Sequence, residues 1–280
     1  MRFAATLLMW LVTTLLLAVA LPAAWVQQHL VDEDGYAALA QKAGGDPGLQ
    51  SAMASELTSQ VGRLGTSVNT GTVSLVAAAY TASSSFPGQF AQANRFAHRW
   101  LFTDRVRSSV DSQGRWVIDL APMLSDAAFK ETLSNYNVTL PSSIPIPLTD
   151  NAPSALRPGA LRPVATFGPW VSVGAAVVAG LFALLTLFVA GSRGGKMLVG
   201  LGVSALLVGA SGWAAIEFGR RRLNTVLDNS SGDIRRIAEV MVGTAQDSMH
   251  QWLNITLVVG GGLVIIGVIV SLLVSLARTN

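Results

Sequence analysis

Four stretches of the chain lack any charged residue and are almost wholly apolar: Phe3–Val26, Thr166–Ala190, Met197–Ile216 and Leu253–Ala277. A helix needs about 20 such residues to cross a bilayer core. Each stretch therefore predicts a transmembrane helix. The first is read as an uncleaved anchor, because its apolar run exceeds the roughly 7–15 residues of a signal peptide and no clear A-x-A site ends it.

The segment between the first two spans, residues 27–165, shows a different pattern. Asp46-Pro47 reads as an N-cap followed by proline at the first helical position. Leu49, Met53, Leu57, Val61 and Leu64 then recur at spacings of four and three, which predicts an amphipathic helix. A second helix is expected over Thr72–Ala82. A third should start near Ser85-Phe86-Pro87 and turn Phe86, Phe90, Ala93, Ala97 and Trp100 to a core. "DSQGRWVIDL" reads as a turn into a strand, Trp116–Leu120. Ser125 would cap a helix carrying Phe129 and Leu133. "NVTLPSSIPIPL" holds too much proline for a helix and reads as extended or edge-strand chain. Residues 151–163 read as a linker to the second span.

Residues 217–252 return to helical spacing. Leu223, Val226 and Leu227 share a face. After "DNSSG", so do Ile234, Ile237, Met241, Ala245, Met249 and Trp252. Ser230 or Ser231 would cap the second of these helices. Spans three and four are thus expected to continue as a helical hairpin beyond the bilayer. The expected fold is mainly α, a four-helix transmembrane bundle with a mostly helical domain (minor β) between spans 1 and 2. Its segments are span 1–26, domain 27–165, span 166–190, turn 191–196, span 197–216, hairpin 217–252, span 253–277 and tail 278–280.

Composition agrees with a membrane protein. Hydrophobic residues make up 51% of the chain and charged ones 12%, against about 25% charged in a soluble domain. Mean hydropathy is +0.48. With no cysteine, disulfides, thiolate metal sites and cysteine nucleophiles are excluded. The 27–165 domain is nearly neutral, which disfavours nucleic acid.

Charge also bears on topology. Arg2 precedes the first span and Asp32, Glu33 and Asp34 follow it, which puts the N-terminus in the cytoplasm. The tight loop "GSRGGK", with Arg193 and Lys196, and the C-terminal Arg278 then also lie inside. The expectation is a multi-pass plasma-membrane protein with both termini cytoplasmic and the main domain extracytoplasmic. Arg220, Arg221, Arg222, Arg235 and Arg236 oppose this, because basic residues favour the cytoplasmic side and acids count little. In the expected topology these arginines are candidate contacts to lipid headgroups or to a partner.

Candidate chemistry is sparse. His29, His98 and His250 show no metal-ligand spacing. His98 has Asp104 and Ser108 near it in sequence, but no G-x-S-x-G elbow exists. "GSRGGK" is too short for a P-loop. Asp32, Glu33 and Asp34 read as a solvated run capping a helix. Asn137-Val138-Thr139 fits a glycosylation sequon. Glu217, at a span end, is the sole ionisable candidate for a transport path. No cofactor, metal or catalytic residue is assigned. Gly195, Gly202 and Gly209 recur every seven residues, as do Gly260 and Gly267. Gly202, Gly209, Gly260 and Gly267 are candidate helix-packing positions.

The order of these features, with "YAALAQKAGGDPGLQSAMASELTSQVGRL", "RWVIDLAPML" and "LPSSIPIPL", resembles uncharacterised actinobacterial four-span envelope membrane proteins. Some of these look like accessory subunits of mycobacterial Mce-type lipid-import complexes. The resemblance implies a non-enzymatic accessory or scaffolding subunit of a cell-envelope complex, with lipid and other membrane subunits as partners and lipid transport as its setting. A small transporter or channel would instead need polar residues lining a membrane cavity. An envelope sensor would need a cytoplasmic output domain.

Overall fold

A computed structural model describes residues 2–63, 70–103, 108–110, 116–119, 145–147, 159–190, 194–227 and 232–279. In chain order the elements are α1 (Arg2–Val26), a π-helical turn (Gln27–Val31), α2 (Glu33–Gly44), α3 (Pro47–Arg63), α4 (Thr70–Thr81) and α5 (Phe86–Phe102). Three short strands follow, β1 (Ser108–Val110), β2 (Trp116–Asp119) and β3 (Pro145–Pro147). The chain ends in α6 (Arg162–Ala190), α7 (Gly194–Leu227) and α8 (Gly232–Thr279). The fold is mainly α. Helices α1, α6, α7 and α8 are each long and apolar enough to cross a membrane, so the chain is a multi-pass membrane protein.

The long helices overrun their apolar stretches. α7 has 34 residues and α8 has 48. At about 1.5 Å per residue, α8 is roughly 72 Å long, against about 30 Å of hydrocarbon. Over half of it therefore lies outside the bilayer core. The apolar run marks where lipid is, not where the helix stops. At its start α7 takes in Gly194, Gly195 and Lys196, which the sequence assigned to a turn.

The chain divides into two compact units. The first comprises Met1–Gln27, Gly168–Val226 and Gln246–Asn280. In it α1 and α7 run parallel, tied by polar groups at matching heights. Trp10 Nε1 donates to the Gly200 carbonyl at 2.8 Å, and Thr14 Oγ1 lies 2.7 Å from Ser204 Oγ. Thr14 also donates to the Trp10 carbonyl. In hydrocarbon such groups have no water to turn to, so they pair across helices. Farther along, Trp25 Nε1 donates to Ser248 Oγ on α8 at 3.2 Å. α6 turns Ser172 and Ala179, seven residues apart, inward. Its Phe167, Trp170, Val171, Val173, Val177, Leu181 and Leu184 face outward, as lipid-facing side chains should.

The second unit comprises Gln28–Phe167 and Leu227–Ala245. α2 lies along α5, and α3 along α4. Asp46 Oδ1 accepts from the Gly48 and Leu49 amides at 2.8 and 3.1 Å, the N-cap expected for α3. Ser85 precedes α5 but its side chain makes no cap bond. Instead its hydroxyl lies 3.0 Å from that of Ser83. The core is Ala43, Leu49 and Phe86, with Met53, Tyr80, Phe90, Ile237, Val240 and Met241 packed around it. Phe86 meets Tyr80 edge-on and Phe90 at a tilt. Along α5 the buried positions include Gln89, Ala91, His98 and Trp100. Ala97, expected in the core, is exposed; the inward stripe passes through His98 instead.

α2 is a helix that apolar spacing alone did not announce. Its run Tyr36-Ala37-Ala38-Leu39-Ala40 is short and alanine-rich, and small side chains give little periodic contrast. Asp32 caps it, accepting from the Gly35 amide at 2.8 Å, the capping role read for the Asp32–Asp34 run. A methyl at Gly35 would collide with the Gln28 carbonyl oxygen, so the turn of π-helix reaches α2 only because this residue has no side chain. The sheet is antiparallel in the order β1-β2-β3. β3, with Pro145 and Pro147, takes an edge, where missing amides do least harm. The expected Ser125 helix, the Asn137 sequon and the Ser230/Ser231 cap lie outside the described residues, as do Asp104 and the side chain of Ser108.

Candidate functional site

Helices α7 and α8 form an antiparallel pair whose spacing is set by glycine. A Cβ placed on Gly202 would lie 2.6 Å from the Gly260 carbonyl oxygen and 2.8 Å from the Val264 amide nitrogen. One on Gly260 would lie 2.9 Å from the Gly202 carbonyl. Gly267 stands in the same way against Gly195 and Val199, and Gly209 against Leu257. Along this seam backbone approaches backbone, which only small residues allow. Gly202, Gly209, Gly260 and Gly267 thus serve the interior of this chain's own bundle. By contrast, Gly174 and Gly180 of α6 and Gly261 and Gly262 of α8 have nothing within 4 Å of such a Cβ.

The arginines are divided between the two units. Arg220 and Arg221 belong to the first unit and sit one turn beyond Glu217, at 3.4 and 3.5 Å from its carboxylate. All three side chains are about half exposed or more. The Arg222 side chain is outside the described residues. Arg235 and Arg236 belong to the second unit. Arg235 Nε bonds Glu239 at 2.8 Å, the i,i+4 pair expected from sequence. Arg236 lies 3.8 Å from the same carboxylate and occupies space that a side chain at Gly48 would need. Nearby, Ser55 donates to Asp233 at 2.6 Å.

The start of α8 is therefore part of the second unit's core. Ile237, Val240 and Met241 cover it, whereas Ile234, expected on the same face, is exposed. The sequence pattern of residues 217–252 predicts a helical hairpin beyond the bilayer, and the part of it within 227–245 packs into this core. Nothing in their local pattern distinguishes an apolar stripe meant for lipid from one meant for α3 and α5.

The histidines are dispersed. His98 is buried, stacked on Phe102 at 4.2 Å, with Tyr36 at 5.4 Å. Its Nε2 lies 3.1 Å from the Leu30 carbonyl of the π-helical turn. Above it, Arg95 and Arg99 pair with Glu33, and Arg95 with Asp34. The Arg95 guanidinium is pushed above its ordinary value chiefly by its hydrogen bond to Asp34. This cluster holds α2 against α5. Among the described residues no three His, Asp or Glu side chains are placed to hold a metal ion.

His250 has the more open setting. It stacks on Trp213 of α7 with ring centres 3.8 Å apart and planes 12° from parallel. The Trp213 Nε1 donates to Asn254 Oδ1 at 3.3 Å. Around this stack is a cavity of about 560 Å³, lined by Trp213, Asp247, His250, Gln251, Asn254, Ile255, Val258 and Val259. The sequence signal was available in the spacing of Asp247, His250, Gln251 and Asn254, which puts four polar residues on one helical face just before an apolar span. Their partner Trp213 is 34 residues or more away in the chain, so the spacing alone does not announce the stack. The chain matches no protein-family model, no curated protein and no solved structure.

Proposed function

We propose that this protein is a non-enzymatic scaffolding subunit of a lipid-handling membrane complex in the cell envelope, with both termini cytoplasmic and its second unit outside. The observation that carries this reading is the contrast between two classes of glycine. Gly202, Gly209, Gly260 and Gly267 are consumed by internal packing, while Gly174 and Gly180 are exposed and Gly261 and Gly262 half-buried, and among the described residues nothing lies within 4 Å of a Cβ on any of these four. Small residues on a lipid-facing surface allow a further helix to approach closely. They do little for a helix that meets only lipid. The exposed Arg220 and Arg221 would lie at headgroup depth, where they can snorkel to lipid phosphate or meet an acidic partner.

The test is purification in mild detergent, with subunits identified by mass spectrometry. A stoichiometric membrane partner is expected, and Gly180→Leu together with Gly262→Leu should release it without unfolding the chain. Recovery of the chain alone, or a partner indifferent to both substitutions, overturns the reading. Topology is tested by Ser231→Cys and Ser192→Cys. A membrane-impermeant thiol reagent applied from outside should label only the first; the reverse pattern inverts the orientation.

A further inference from the structure

We propose that the groove between α7 and α8 at Trp213 and His250 binds a single zwitterionic aminophospholipid, with its headgroup against α8 and one acyl chain running down the span. This stands on the groove alone and does not depend on the chain having protein partners.

The groove lies at interfacial depth. Ser248 accepts from Trp25 of α1 and His250 stacks on Trp213 of α7, so two tryptophans from other helices meet α8 within one turn of each other. Trp252 adds a third. Tryptophan collects at the interface between headgroups and hydrocarbon. The apolar stretch of α8 begins at Leu253. The groove straddles this boundary.

Its lining passes from polar to apolar along α8. Asp247, His250, Gln251 and Asn254 occupy the polar side, and Ile255, Val258 and Val259 the apolar side. The last three are all more than half exposed. An amphiphile aligned with the bilayer normal meets the same sequence of chemistries: a charged or hydrogen-bonding head first, then hydrocarbon. The cavity volume of about 560 Å³ is within the roughly 300–1,000 Å³ range of small-molecule sites. It suits a headgroup and glycerol, leaving the tails on the exposed aliphatic strip.

Asp247 is exposed and is the one acidic residue of a lining that holds His250 but no arginine or lysine. Arg220 and Arg221 are engaged by Glu217. A carboxylate with no arginine or lysine in its lining favours an ammonium and opposes a head that is only anionic. The amide groups of Gln251 and Asn254 can then donate to the phosphate next to that ammonium. A primary ammonium also donates hydrogen bonds to the carboxylate, which a quaternary one cannot.

The test is native mass spectrometry of the delipidated full-length chain in detergent, titrated separately with phosphatidylethanolamine, phosphatidylcholine and phosphatidylglycerol of matched acyl chains. One phosphatidylethanolamine should bind in preference to the other two. Asp247→Asn and Trp213→Ala should each weaken it on the order of tenfold, the scale of one charge-assisted bond. Leu184→Ala, on the outward face of α6, should leave it unchanged. Because Asp247 is at the surface, Asp247→Asn should unfold at the wild-type temperature without lipid, which separates lost binding from lost fold. Equal binding of all three lipids, a preference for phosphatidylglycerol, or binding unaffected by Asp247→Asn overturns the proposal and leaves only annular lipid.

Discussion

Replacing Gly202 by alanine probes the α7–α8 seam with a single methyl group. At this position the new Cβ would face the Gly260 carbonyl oxygen at 2.6 Å, the Val264 Cγ2 at 2.7 Å and the Val264 amide nitrogen at 2.8 Å. Ordinary contact begins near 3.4 Å, so relief requires the helices to part by several tenths of an ångström. Two of the three atoms are backbone and cannot rotate away. Parting them also loosens the contacts of Gly195, Gly209, Gly260 and Gly267 along the same line. Overpacking of this kind costs about 1–3 kcal/mol. Against it stands the gain of about 1 kcal/mol that alanine brings over glycine within a helix. Gly174→Ala supplies the control, because nothing lies within 4 Å of its Cβ and only the gain remains. The two variants should therefore differ by about 1–3 kcal/mol in the same detergent, with Gly202→Ala the less stable. Thermal unfolding followed by circular dichroism reads this difference. If Gly202→Ala unfolds with or above Gly174→Ala, the close backbone contact between α7 and α8 is wrong.

Three further outcomes are expected. Phe86→Ala removes a fully buried ring from the core of the second unit and should cost about 3–5 kcal/mol, seen as faster proteolysis within residues 28–167. Thr14→Val deletes the bond to Ser204 and should cost only about 0.6 kcal/mol, the average for such bonds between membrane helices; a loss several times larger would mean that this contact organises the bundle. Burial raises the Tyr36 and Tyr80 phenols above their ordinary 10.0, so the folded chain holds these protons more tightly than the unfolded chain. Stability should be intact below pH 10 and fall as pH rises through the folded values, and Tyr36→Phe should flatten that fall while losing the bond to Asn94; an unchanged alkaline slope would refute it.

Much of this architecture is written locally. A charge-free run of 20 or more residues has one low-energy state in a bilayer, because a helix bonds its own backbone. Spans α1, α6, α7 and α8 were therefore legible from composition. The Asp46-Pro47 start of α3, the Pro145–Pro147 edge strand and the Arg235–Glu239 pair were legible too, each being fixed within about four residues. Tertiary structure decided the remainder. The glycine heptads announced a packing face but not its partner. That α7 meets α8, with Gly202 against Gly260, depends on contacts some 60 residues apart. The spacing of the stripe Ile237–Met241 fits a lipid-facing surface as well as a core. In the fold it packs against Ala43, Leu49 and Phe86. The polar face Asp247–Asn254 gained a wall only when Trp213 stacked on His250. Periodicity tells a helix which face is apolar; only the fold tells that face what it will touch.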